Sequence, residues 1–129
     1  MPSSNPEPSL IQSTLRLLEE LVRSTRNPAP REWMECELTM PQLKILLFLH
    51  TDGPARVSDI AGSLGVTLPT ATALIDRLVD RNLVVRSGVP EDRRVVLCGL
   101  TDSGRKLAHG LWQGGLDHTR AALEALSQD

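Results

Sequence analysis

Gly65 separates two short stretches of helical periodicity, and its placement constrains the fold of this chain more than any other single feature. Residues 58–64 are patterned as a helix of barely two turns. A glycine just beyond can take the left-handed conformation that closes a helix C-terminus. Two residues on, Thr67 is a cap for a second helix, with Pro69 in its first turn, where a missing N–H forfeits no helical hydrogen bond. That helix is expected to run to about Arg81, with Asn82 at its end. Ile60, Ala61, Leu64, Val66, Ala71, Leu74, Ile75 and Leu78 supply the apolar face that the pair shares. Two short helices joined in this way are a helix-turn-helix.

Upstream, Thr39-Met40-Pro41-Gln42 combines a capping threonine, a glutamine three positions on and a first-turn proline. The run that follows, residues 43–50, is almost wholly apolar, and a helix apolar all round belongs in the centre of a core. Asp52-Gly53-Pro54 ends it. Residues 31–38 are acidic and without periodicity. Residues 9–27 carry Ile11, Leu15, Leu18 and Val22 at helical spacing, widened by Leu10, Leu17 and Leu21, until Pro28 and Pro30 forbid continuation. Residues 1–8 read as a disordered lead-in.

Downstream, the period changes. Residues 83–86 and 94–98 are β-branched strands flanking a turn-rich, charged tip at residues 87–92, the pattern of a hairpin. Thr101, with Asp102 favourable at the positive end of the dipole, caps a helix carrying Leu107, Leu111 and Trp112. Gly114-Gly115 is expected to interrupt it, with Leu116, Thr119, Leu123 and Leu126 continuing in a second piece.

A chain of 129 residues makes one domain, and 40% hydrophobic with 23% charged residues suffices for a core. Yet the stripes at its two ends are broader than one such chain can cover, which points to a second copy. No run of about 18 apolar residues exists, which excludes a spanning helix. The N-terminus lacks the basic and long apolar regions of a signal peptide. Cys36 and Cys98 form no metal-binding pair and give at most one bridge, so a reducing, cytoplasmic setting is expected. The formal net charge of −2 excludes coating nucleic acid or anionic membrane by bulk electrostatics. Any DNA contact must come from where the arginines sit.

Four stretches carry a family likeness: Leu38-Thr39-Met40-Pro41-Gln42, Val57-Ser58-Asp59-Ile60-Ala61, Ala73-Leu74-Ile75-Asp76-Arg77-Leu78, and Pro90-Glu91-Asp92-Arg93-Arg94 leading to Leu100-Thr101-Asp102. The last is the most specific, an Asp-x-Arg followed by a Leu-Thr helix start. In this order and spacing, residues 38–107 resemble the MarR family of winged-helix transcription regulators. The resemblance implies a mainly α fold with a small β-hairpin wing. Its DNA-binding part would be residues 39–101, and its dimerisation helices residues 9–27 and 101–127. It also implies an obligate homodimer with interleaved terminal helices, in agreement with the uncovered stripes. Family members usually repress their targets and respond to small ligands, often phenolic, or to oxidants.

The resemblance puts the N-terminal turn of the second helix in the major groove, where Thr67, Leu68, Pro69, Thr70 and Thr72 face outward. The chain departs from many relatives at Ala73, often polar or basic there. The first two turns hold no Arg, Lys, Asn or Gln, so bidentate readout of guanine or adenine is not available. More reliance on phosphates and DNA shape is expected. Arg77 is expected near the DNA or paired with Asp80 or a wing carboxylate, and Arg81 as a solvated helix-end charge. Arg94 is the strongest candidate for insertion into a narrow minor groove, oriented by Asp92, with Arg93 reaching the backbone. Ser58 and Arg56 are candidate phosphate contacts. Residues 51–101 hold six arginines and six acids, so the two signs must segregate between faces.

The expected function is therefore a transcription regulator, a repressor, binding a pseudo-palindromic operator in double-stranded DNA as a homodimer, relieved by a small-molecule effector. The alternative is a dimeric module of the same fold that has lost specific DNA binding and serves a protein partner. No nucleophile–base pair or phosphate loop points to an enzyme, and no cofactor is expected. A metal site from Glu35, Cys36, His50 and His109 lacks a second histidine at ligand spacing on the last helix. Cys98, alternating with apolar residues, reads as a small buried hydrophobe. An effector is expected between the dimer helices and the winged helix, while Trp33, Met34 and Trp112 read equally well as packing.

Overall fold

A computed structural model describes residues 7–24 and 30–127. Eight elements follow in order among them: α1 (Glu7–Ser24), α2 (Arg31–Glu35), α3 (Met40–Asp52), α4 (Val57–Leu64), α5 (Leu68–Asp80), β1 (Val84–Val89), β2 (Asp92–Leu100) and α6 (Asp102–Ser127). The chain forms two compact units, Arg31–Gly114 in one and Met1–Pro30 with Gly115–Asp129 in the other.

In the larger unit α3 is the centre. The Thr39 hydroxyl accepts from the Gln42 N–H while the Gln42 side chain accepts from the Thr39 N–H at 3.0 Å, a reciprocal cap that starts the helix at Met40, before the apolar run. Gly53 at φ 82° ends it. Leu43, Ile45, Leu46 and Leu49 of α3 are buried with Ile60, Ile75, Leu78, Val84, Cys98 and Leu111 in one aliphatic core. Each such side chain stabilises the fold by roughly 1.5–3 kcal/mol. The helix-turn-helix forms as the local signals require: Gly65 is left-handed at φ 69°, and Thr67 caps α5.

The wing is longer and tighter than its sequence suggests. Strands β1 and β2 pair antiparallel from Val84↔Leu100 to Gly88↔Val96, and then Val89 pairs with Asp92. The expected tip at residues 87–92 thus shrinks to Pro90 and Glu91. Arg93, Arg94 and Val95 are left opposite no partner, a bulge that turns side chains out of the ladder. Ala55 adds a bridge to Cys98, its N–H and C=O both bonded to that residue at 3.0 and 2.7 Å.

Helix α6 starts where β2 returns to the core. Thr101 accepts from the Gly104 N–H at 2.9 Å, donates its hydroxyl proton to Asn82 O at 2.7 Å, and bonds Leu83 O through its own N–H. The helix then runs unbroken to Ser127, so the expected interruption at Gly114-Gly115 does not occur. Two helical glycines cost only about 1 kcal/mol each, which the rest of the helix tolerates. A Cβ at Gly114 would lie 2.6 Å from the Glu32 carboxylate of α2, the end of an exposed, flexible side chain that can move aside. The short helix α2 was not legible in the acidic stretch 31–38; Trp33 anchors it by donating its indole N–H to Leu111 O at 2.8 Å.

In the smaller unit, α1 begins at Glu7 with Pro8 in its first turn, ahead of the expected start; the remainder of the expected lead-in, residues 1–6, lies outside the described residues. Leu10, Ile11 and Leu18 on α1 are more than half exposed, and Leu116 and Leu123 of α6 are also open. Among the described residues no helix is long and apolar enough to cross a membrane.

Candidate nucleic-acid interface

Helix α5 buries Ala71, Ile75 and Leu78 and turns the opposite side outward. Pro69, Thr70, Thr72, Ala73, Asp76 and Arg77 are all exposed there, and so is Thr67 ahead of the first turn. The hydroxyls at the helix start are largely occupied by their own backbone. Thr67 accepts from the Thr70 N–H and donates to the Thr70 hydroxyl at 2.9 Å, while Thr72 donates to Leu68 O at 3.0 Å. The Arg77 side chain makes no hydrogen bond or ion pair among the described residues. The expected pairing of Arg77 with Asp80 or a wing carboxylate is therefore not found.

At the wing, Asp92 is half-buried at the start of β2 and accepts the Arg94 backbone N–H at 3.0 Å and its Nε at 3.4 Å. The Arg94 side chain is 92% exposed. A short acceptor thus fixes the root of a long, projecting cation. Arg93, beside it, is exposed as well. On the other strand Arg86 pairs with Asp76 of α5, a contact that the sequence reading missed. It neutralises one acid on the outward face of α5 and ties the wing to that helix. The strand alternation that puts Arg86 on the face of Val84, and so toward α5, was the available signal.

Ser58 and Arg56 are exposed at the start of α4. Arg81 departs from expectation: its guanidinium donates to Glu37 O at 3.0 Å, holding a residue whose φ is 56°. Among the described residues, Arg77, Arg93 and Arg94 are thus exposed without a partner on another element, whereas Arg81 and Arg86, also exposed, are engaged by Glu37 O and by Asp76.

Other expected groups resolve differently. Cys98 is fully buried, and burial pushes its thiol up, against a smaller opposing effect of Arg86. The Cys36 thiol donates to Trp33 O at 3.0 Å. His50 and His109 meet edge to face at 5.9 Å, beside Trp112, but no group of three metal-ligating side chains forms among the described residues. A cavity of about 570 Å³ opens behind the wing, with an apolar lining that includes Leu49, Val85, Leu97 and Leu100, and with His50 and Arg105 at its polar side.

Comparison with known proteins gives a consistent picture. Residues 38–96 match the model of the MarR family. The chain is 41% identical over 98 residues to an uncharacterised HTH-type transcriptional regulator, YfiV, of Bacillus subtilis, over 76% of this chain and 61% of that one. It is 31% identical to the HTH-type transcriptional repressor NicR of Pseudomonas putida, over 82% of this chain and 70% of NicR. Among solved structures, the transcriptional regulator Tm0710 from Thermotoga maritima shares the fold with a TM-score of 0.70 at 24% identity, over 92% of this chain and 80% of that one. The chain spans less than two thirds of the length of the first curated relatives it matches.

Proposed function

The chain belongs to the MarR family, and from that premise we propose that it is a DNA-binding transcription regulator acting as a homodimer on a pseudo-palindromic operator. The observation that carries this reading is the wing: Arg94 projects from a bulge, rooted by Asp92, beside an α5 that turns its N-terminal residues outward. A helix for the major groove and an arginine for the adjacent minor groove are the two parts such a dimer needs on each half-site. The open leucines of α1 and of the C-terminal part of α6 supply the apolar surface through which a second copy would complete the fold. Repression is the proposed sign, as NicR is named a repressor. The cavity behind the wing is the proposed seat of a small effector, where occupancy would bias the wing relative to α5. The proposed site of action is the cytoplasm.

The test is selection of bound duplexes from genomic fragments, followed by affinity on the selected site across salt concentrations. With Arg56, Arg77 and Arg93 each neutralising one phosphate per protomer, log K falls with log salt at a slope near −5. A slope near zero, or no enriched fragment, would leave a protein-interaction module as the reading.

The Arg86–Asp76 pair yields a separate prediction. It is a partly exposed ion pair worth about 0–1 kcal/mol, so Arg86→Ala should move the unfolding midpoint by only a few degrees. Freed from α5, however, the wing loses a fixed orientation, and operator affinity should fall by roughly three- to tenfold, at most ~1.4 kcal/mol. Thermal unfolding and fluorescence anisotropy on one preparation separate the two effects. Equal losses in both would make the pair structural only.

A further inference from the structure

We infer that α5 reads its half-site by apolar contact with thymine C5 methyl groups, with Leu68 and Thr72 as specificity-determining residues. The inference rests on the DNA-binding reading above and says what that surface recognises. Side chains four apart on a helix are neighbours, so Leu68 and Thr72 form one short outward row and Pro69 and Ala73 the next. All four are exposed, and Leu68, 53% exposed at the first helical position, is a large apolar group that the core does not use. The polar capacity of this patch is small. Thr67 and Thr72 have each donated their hydroxyl proton within α5 or its cap, which leaves Thr70 as the one hydroxyl donor of the first turns. No amide or guanidinium follows until Arg77.

In the major groove each base edge presents hydrogen-bonding atoms, and thymine alone adds a methyl group. Guanine N7 and O6 or the cytosine amino group, pressed against Leu68 and Pro69, would lose water without gaining a partner. A thymine methyl in the same place loses nothing and buries apolar surface on both sides. Ala73, with no side chain beyond Cβ, lets the backbone of α5 come close enough for that contact. Asp76, the nearest acid on this face, is already held by Arg86.

The experiment uses the full chain and a duplex enriched from a random-sequence pool. Each thymine of one half-site is replaced singly by deoxyuridine, which removes only the methyl. Binding should weaken about fourfold at two or more positions, the effect of one buried methyl-sized group. Leu68→Ala and Thr72→Ser, the latter keeping the hydroxyl, should bring the thymine-to-uracil ratio at those positions toward one without changing the salt slope. Uracil duplexes that all bind within twofold of the parent overturn the inference, as do ratios that neither variant changes. Failure to enrich any sequence overturns the DNA-binding reading itself, and this inference with it.

Discussion

Gly104→Ala should lower the unfolding midpoint by more than ten degrees, or prevent folding. A Cβ at position 104 would lie 1.9 Å from Leu83 O and 2.9 Å from its carbonyl carbon. Those are backbone atoms, already committed: Leu83 O accepts the Thr101 N–H at 3.1 Å, and the Leu83 N–H bonds Leu78 O. Relief therefore needs α6 and the α5–β1 corner to separate, which breaks the Thr101 cap and opens the core around Leu83 and Ala108. Overpacking of this kind costs ~1–3 kcal/mol where side chains can yield, and more where only backbone is present. In a unit of this size each 1 kcal/mol moves the midpoint by roughly 4–8 °C. Gly110→Ala is the internal control, since nothing lies within 4 Å of a Cβ there. It should be neutral or stabilise by ~0.4–1 kcal/mol through helix propensity. Thermal melts of both variants give the answer, and a Gly104→Ala protein that melts within two degrees of the parent sinks this account of the α6 start.

Arg94→Ala should reduce operator affinity by roughly tenfold to a hundredfold while leaving the fold and the oligomeric state unchanged, a loss of ~1.4–3 kcal/mol. The stability half follows from exposure. A side chain 92% open, paired with a half-buried carboxylate at 3.4 Å, contributes little to folding. The binding half follows from where the bulge aims it: a guanidinium entering a narrow minor groove meets enhanced negative potential and loses little hydration. Arg94→Lys should not restore affinity, because an ammonium is more strongly hydrated and less readily desolvated in the groove. Asp92→Asn should cost less than Arg94→Ala, since the amide oxygen can still accept the Arg94 N–H. Anisotropy titrations with sedimentation of each variant measure both halves. Arg94→Ala binding within twofold of the parent would remove the wing from the interface.

Much of this architecture was legible because its signals are short-range. The Thr39–Gln42 box, Gly65 and the Thr67 cap act over three or four residues, and each forms as its sequence requires. Within the candidate site one short-range contact was legible in the same way: Asp92 accepts from Arg94 across two residues. What escaped was longer in reach or set by competition. Arg81 holds Glu37 O across 44 residues, and Trp33 holds Leu111 O across 78. The Gly114-Gly115 pair read as a break because local propensity is poor there, yet α6 continues through it.

The sequence by itself determined the capped starts of α3, α5 and α6, the turn at Gly65 and the change of period from helical to alternating. Those outcomes depend on hydrogen bonds and side-chain periodicities that close within one or two turns. Only the tertiary structure decided which charges engage a distant element: Arg86 goes to Asp76 and Arg81 to Glu37 O, while, among the described residues, Arg94 is held only by Asp92 of its own strand and the Arg77 and Arg93 side chains are exposed. It also decided that Gly104 must be a glycine. The physical reason is the same in both cases. Whether a cation finds a carboxylate, or a Cβ finds a carbonyl, depends on how separate elements are packed in space, and no local pattern along the chain carries that distance.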